Sequence, residues 1–334
     1  MPATTRAQRT EELAREIVVQ RPPDFGDFWS AAEAELAAID PAAEFVFRED
    51  LSTEEVEVFD VRFTGLGHVR AAAWYTRPAG LDGARAIPGI LVSPGYISEP
   101  TLGKAWSKRG YAVMGVAPRG KLRAEGQVNP GYPGLLVSDI LDPVAYTYRG
   151  FYLDAVRAFD LLADRPEVDA ERVGLLGISQ GGGLGVVVAA LRPDVVRCAV
   201  IGAPFLVGIM ESAALTSSYP YQEINEYLAV HPAAIEQVTT TVAYYDGLNF
   251  ADRIRADILI HLGLNDDICP PETGYALAHA LPTAPEVLAY DTCGHDAGLP
   301  AATTPIAAFF AERLRPPTKQ AAVSSADSEL GIDT

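Results

Sequence analysis

Ser179 sits in "GLLGISQGGGLG" (Gly174 to Gly185), between Gly177 and Gly181 in a G-x-S-x-G arrangement. An apolar run precedes it, and glycines follow. A serine hydroxyl becomes a nucleophile when a base takes its proton and a third group orients that base. A strand–turn–helix setting lifts the hydroxyl above a sheet, and the flanking glycines make room for a strained turn. The helix that begins there aims its positive end at developing negative charge. An ordinary tight turn would use the same residue types, so the partners have to decide.

His295, in "DTCGHDAG", follows the last apolar run and is the candidate base. Asp266 and Asp267, in "HLGLNDDICPP", follow the run before it and are candidate acids. Asp291 and Asp296 flank the histidine, and spacing alone leaves all four aspartates open. The chain order serine, acid, histidine is that of α/β-hydrolases. The remaining histidines read as structural. His68 lies among N-terminal strands and His231 precedes Pro232 in a loop. His261 lies within a strand and His279 on a helix. An oxyanion needs two donors. The N–H of Gln180, directly after the serine, is one. Tyr96, in the loop that closes the strand stretch "GILVSPGYISEP", offers the other, with Gly95 permitting close backbone approach.

These residues need a sheet to hold them. Apolar runs at 86–93, 110–120, 172–179, 196–205, 256–266 and 285–295 read as strands covered on both faces. Helical patterns at 150–166, 270–281 and 305–314 alternate with them. Such alternation predicts an α/β fold with a mostly parallel central sheet flanked by helices. Two segments exceed a minimal unit. One is an N-terminal extension, residues 1–80, with an amphipathic helix at 24–39 and strands at 54–78. The other is a tyrosine-rich helical insertion at 210–249, expected to fold over the site. We read residues 1–315 as one domain and 316–334 as a polar, disordered tail.

The formal net charge of −18 argues against nucleic-acid or anionic-membrane partners, which need a basic surface. Three cysteines give no disulfide framework. No stretch has the apolar length of a spanning helix, and the start lacks the apolar core of a signal peptide. A cytoplasmic protein is expected.

Several stretches together resemble the acetyl xylan esterase and cephalosporin C deacetylase family, carbohydrate esterase family seven. They are "APRG", "PGLLVSDILDPVAYTYRGFYLDAVRA", "GISQGGGLG", "GAPFLV", "YPYQEINEYL" and "GLNDDICPPETGYA". The resemblance runs from about Pro23 to Leu314. It implies an α/β-hydrolase fold, with Ser179 as nucleophile, His295 as base and Asp266 as acid. It assigns Tyr96 and Gln180 to the oxyanion hole. It further implies removal of acetyl groups from sugars and related small molecules, no cofactor, and a homohexamer. The chain departs from the family's usual wording in three places. It has Pro94 before Gly-Tyr, Lys121 after Arg-Gly, and Asp296 after the histidine. A peptidase or amide hydrolase on the same residues is the alternative. A silent binding protein on this fold would normally have lost one of the three.

Overall fold

The apolar runs become the strands of one nine-stranded sheet in a computed structural model. It describes Leu13 and residues 15–315 apart from 82–85, 97, 121, 125–127, 129 and 130. Lys121 and the tail from Pro316 therefore lie outside the described residues. The elements run α1 (Phe25–Ala37), β1 (Glu44–Phe47), β2 (Val56–Thr64), β3 (Arg70–Pro78) and β4 (Ile87–Ser93). Then come α2 (Lys104–Ser107), β5 (Ala112–Ala117), α3 (Thr147–Ala163), β6 (Val168–Ile178), α4 (Gln180–Leu191) and β7 (Val196–Gly202). The chain continues through α5 (Ile209–Leu215), α6 (Gln222–Val230) and α7 (Ile235–Ala243). It closes with β8 (Asp257–Gly263), α8 (Pro271–Ala280), β9 (Glu286–Tyr290) and α9 (Thr303–Arg313).

The strand order is β1-β2-β3-β5-β4-β6-β7-β8-β9. The first three strands and the β3–β5 pair are antiparallel; every pair from β5 to β9 is parallel. All six residues of β5 are buried, as a strand covered on both faces requires. β9 is the edge strand on the parallel side, and Glu286, Val287 and Ala289 are exposed there. A charged edge residue discourages pairing with another chain.

Helix α4 lies beneath the centre of the sheet with every residue buried, which is why its sequence is apolar all round. α1 buries Phe25, Trp29, Ala32 and Leu36, one stripe at helical spacing. Trp29 stacks on Tyr152 of α3 and donates its indole N–H to the Tyr244 carbonyl, 2.9 Å away. The N-terminal helix thus packs against the end of the insertion. Five strands, β5 to β9, stop short of the expected bounds, and two of these ends matter most to the site. β7 ends at Gly202 because Ala203 turns with φ 36°. β9 ends at Tyr290, and the residues up to His295 form turns instead. Both ends deliver chain to the same edge of the sheet.

Behind β5, Arg119 and Asp154 form a buried two-pronged ion pair at 2.8 Å. The Arg119 amide also donates to Asp154, and its guanidinium donates to the Leu66 carbonyl. A Cβ on Gly65 would lie 2.1 Å from Asp154 Oδ1, and one on Gly150 2.3 Å from the Arg119 guanidinium. The "APRG" and "YRGFYLDA" stretches are therefore two halves of one clamp, joining β5, α3 and the turn after β2.

Candidate active site

Strand β6 ends at Ile178 and α4 starts at Gln180, so Ser179 alone makes the turn. Its backbone sits at φ 58°, ψ −123°, a region that L-residues rarely adopt and that persists only where neighbours enforce it. They do so here. Ser179 N–H donates to Gly202 O at 2.9 Å, and Ser179 O accepts from the amides of Gly183 and Phe205. A Cβ on Gly177 would lie 2.1 Å from Gly181 O, and a Cβ on Gly181 would lie 2.1 Å from Ser93 O. Both glycines of G-x-S-x-G are steric necessities. The close approach of backbone to the elbow is at Ser93; a Cβ on Gly95, where the sequence suggested it, would meet only Ser98 Oγ at 3.3 Å.

The loops after β8 and β9 lie backbone against backbone. A Cβ on Gly263 would fall 1.9 Å from Gly294 O, and Asn265 N–H donates to Cys293 O. This contact brings Asp266 and His295 together: Nδ1 of the histidine is 2.8 Å from Asp266 Oδ2. The other oxygen, Oδ1, accepts the amides of Ile268 and Cys269, both at 2.9 Å. The Asp266 side chain is 1 % exposed and that of His295 28 %, so the acid is enclosed and the imidazole reaches the opening. The other aspartates are occupied elsewhere. Asp267 is exposed and accepts the Ser218 hydroxyl, Asp296 accepts the Gly294 amide, and Asp291 is exposed on the turn.

Gln180 is fully buried, and its side-chain amide donates to the Tyr148 hydroxyl at 2.7 Å. Its backbone N–H opens α4, where the first amides lack intrahelical acceptors. Tyr96 is 7 % exposed. Its ring packs edge-on against Phe205, whose amide holds the Ser179 carbonyl. Ser179, Asp266, His295, Tyr96 and Gln180 therefore gather at one sheet edge. Asp266 pairs with His295 rather than with any of the four histidines read as structural. His261 is buried in β8, its Nδ1 2.8 Å from Ala297 O, and burial pushes its pKa down. It braces the turn just after His295.

Two neighbours escaped the sequence reading. Burial pushes the Cys269 thiol well up and the Asp266 charge adds to this, while a hydrogen bond with Ser179 acts the other way. A neutral thiol therefore stands beside the serine. Glu223, on α6 of the insertion, accepts the Tyr96 hydroxyl at 2.7 Å. Only the "YQE" spacing after the insertion's first helix could have pointed to it. Among the described residues no group of three or more His, Cys, Asp or Glu is arranged to hold a metal. No described helix is long and apolar enough to cross a membrane.

A parallel sheet with a serine on a strained strand–helix turn, and an acid–histidine pair on the next two loops, defines an α/β-hydrolase. The sequence pattern of the acetyl xylan esterase (AXE1) family matches residues 14–313, and the chain belongs to that family. The acetyl xylan esterase from Paenibacillus sp. R4 superimposes with a TM-score of 0.85 at 30 % identity, over 91 % of this chain and 99 % of that one. Acetyl xylan esterase 1 from Thermoanaerobacterium sp. JW/SL YS485 gives 0.84 at 27 %, over 92 % and 98 %. The acetyl esterase Axe7A of Xylanibacter ruminicola is 29 % identical over 282 residues. That alignment takes in 80 % of this chain but only 62 % of the longer relative.

Proposed function

We propose that this protein is a serine esterase that removes acetyl groups from acetylated sugars or related small esters. The observation that carries the reading is the 2.8 Å Asp266–His295 bond beside the Ser179 elbow, in a chain of the acetyl xylan esterase family. Ser179 Oγ attacks the ester carbonyl as His295 Nε2 takes the hydroxyl proton. Asp266 holds the ring by Nδ1 and stabilises the imidazolium. The tetrahedral oxyanion lies between the Tyr96 and Gln180 amides. Collapse breaks the bond to the alcohol oxygen, which takes the proton from His295 and leaves. Water, deprotonated by His295, then attacks the acetyl-serine, and acetate departs as Ser179 recovers its proton.

The resemblance supports three finer readings. The substrates include acetylated xylo-oligosaccharides and cephalosporin-type acetates, the assembly is a homohexamer, and the setting is the cytoplasm. The free cysteines fit a reducing compartment. Release of acetate from p-nitrophenyl acetate tests the core of the proposal. Ser179→Ala is expected to lower kcat by about 10⁴-fold or more, given the scale of nucleophile losses in serine hydrolases. Equal rates for the two proteins would refute the nucleophile assignment.

A further inference from the structure

Glu223 is 3 % exposed. Among the described residues no Lys or Arg pairs with it. Burying a carboxylate without a counter-charge is costly, and an apolar residue of similar size would usually be cheaper. The side chain is held by hydrogen bonds alone. Oε1 accepts the Tyr96 hydroxyl at 2.7 Å, and Oε2 accepts the Leu136 amide at 2.9 Å. The same Leu136 N–H is shared with the Tyr96 hydroxyl oxygen at 2.8 Å. The Leu136 carbonyl in turn accepts the Tyr146 hydroxyl at 2.7 Å. Burial raises the pKa of Glu223, while the bonds from Tyr96 and from the backbone of Leu136 and Gly134 favour the ionised form.

Three separate stretches meet at this carboxylate: helix α6, the turn at Leu136 and the loop after β4. The ring they fix belongs to the residue whose backbone amide is one of the two proposed oxyanion donors. We propose that Glu223 is a positioning residue for the oxyanion hole: by gripping the Tyr96 hydroxyl it locks the ring, and through the ring it sets the direction of the Tyr96 N–H. The inference rests on the esterase reading above. It gives the insertion a part in the chemistry that covering the site alone would not require.

The test measures kcat and KM on p-nitrophenyl acetate, together with the Ki of an aryl trifluoromethyl ketone, which forms a tetrahedral oxyanion on the serine. Glu223→Gln, Tyr96→Phe, the double variant and Ser179→Ala are compared with the parent. Losing a whole donor costs about 10²–10³-fold, so a misdirected one is expected to cost about 10–100-fold. That loss should appear in kcat and in the ketone Ki, with KM within about twofold. The double variant should lose no more than the worse single one, because both remove one linkage. Parent-like kcat and Ki in Glu223→Gln overturn the inference, as do additive losses in the double variant. If Glu223→Gln fails to fold, Tyr96→Phe alone decides, since it keeps the ring and the amide and removes only the hydroxyl's bonds to Glu223 and the Leu136 amide. Should Ser179→Ala stay active, the esterase reading itself fails; should it be dead while Glu223→Gln is unimpaired, only the positioning role fails.

Discussion

Gly181 and Gly185 lie one helical turn apart on α4 and face opposite constraints. A methyl on Gly181 would strike the Ser93 carbonyl at 2.1 Å, backbone against backbone, whereas a methyl on Gly185 would meet Ile201 Cγ1 at a comfortable 3.9 Å. Gly181→Ala is therefore expected to lower both Tm and kcat, because the strand end and the elbow must move apart. Gly185→Ala should hold or raise Tm, since alanine gains about 0.8–1 kcal/mol over glycine in a helix. Equal thermal shifts would contradict the steric account. Asp246 offers a second test. It is fully buried, where it accepts the amides of Gly208, Ile209 and Leu248 and so holds the start of the insertion. Burial pushes its pKa from 3.8 up to about 6, the backbone bonds opposing. Because the folded value lies above the unfolded one, its contribution to stability is full below about pH 4. It fades as pH rises through about 6. Relative to Asp246→Asn, the parent should lose about 1–2 kcal/mol between pH 5 and 7.5, read from urea midpoints. A constant difference between the two would mean that the backbone bonds outweigh burial. The sequence revealed the glycines and the serine because sterics tie them to one short stretch. Asp246 and Glu223 were hidden, since their partners are brought to them by folding.

At the level of elements, the sequence was legible where a repeat period was long. The six central strands and the three flanking helices fall where alternation put them, with ends displaced by turns that carry site residues. The insertion was read correctly as helical, but its tyrosines could not be sorted. Tyr221 and Tyr245 are fully buried, and Tyr244 packs against Phe28 of α1. Tyr219 instead meets Tyr132, which in turn meets Tyr96. Irregular turns join these helices, so no period tells which side each ring faces. The sorted set has a consequence for the acyl group. Tyr96 is walled by Phe205, and Phe205 by Tyr221, the latter two fully buried. A longer acyl chain beside Tyr96 would have to displace these rings, and overpacking costs about 1–3 kcal/mol. Across p-nitrophenyl esters from acetate to octanoate, kcat/KM should peak at acetate or propionate and drop sharply by butyrate to hexanoate. Each offending group corresponds to about 5–100-fold. A maximum at hexanoate would mean an open acyl pocket.

For the molecule as a whole, composition carried information that no single contact does. The excess of 44 acidic over 26 basic residues was plain in the sequence. Where that charge falls was not, because ion pairs such as Arg119–Asp154 and Arg192–Asp160 join residues far apart in the chain. What remains after pairing is a net negative field, and a field acts on substrates according to their own charge. An acetylated sugar is neutral; a cephalosporin-type acetate carries a carboxylate. At about 10 mM salt the screening length is about 30 Å and the field extends from the whole surface to the site; at about 150 mM it shrinks to about 8 Å. The anionic ester should thus be repelled at low salt and released from that repulsion as salt is added. We expect its kcat/KM to rise about 2–10-fold from 10 to 150 mM sodium chloride, mainly through KM, while a peracetylated neutral sugar changes less than about 1.5-fold. Running both esters on one preparation removes any effect of salt on stability or assembly, since that would move the two together. An anionic ester indifferent to salt would mean that the net charge does not act at the site, and one slowed by salt would mean a positive potential at the mouth that outweighs the net charge locally. The field would then favour carboxylate-bearing acetates over neutral sugars.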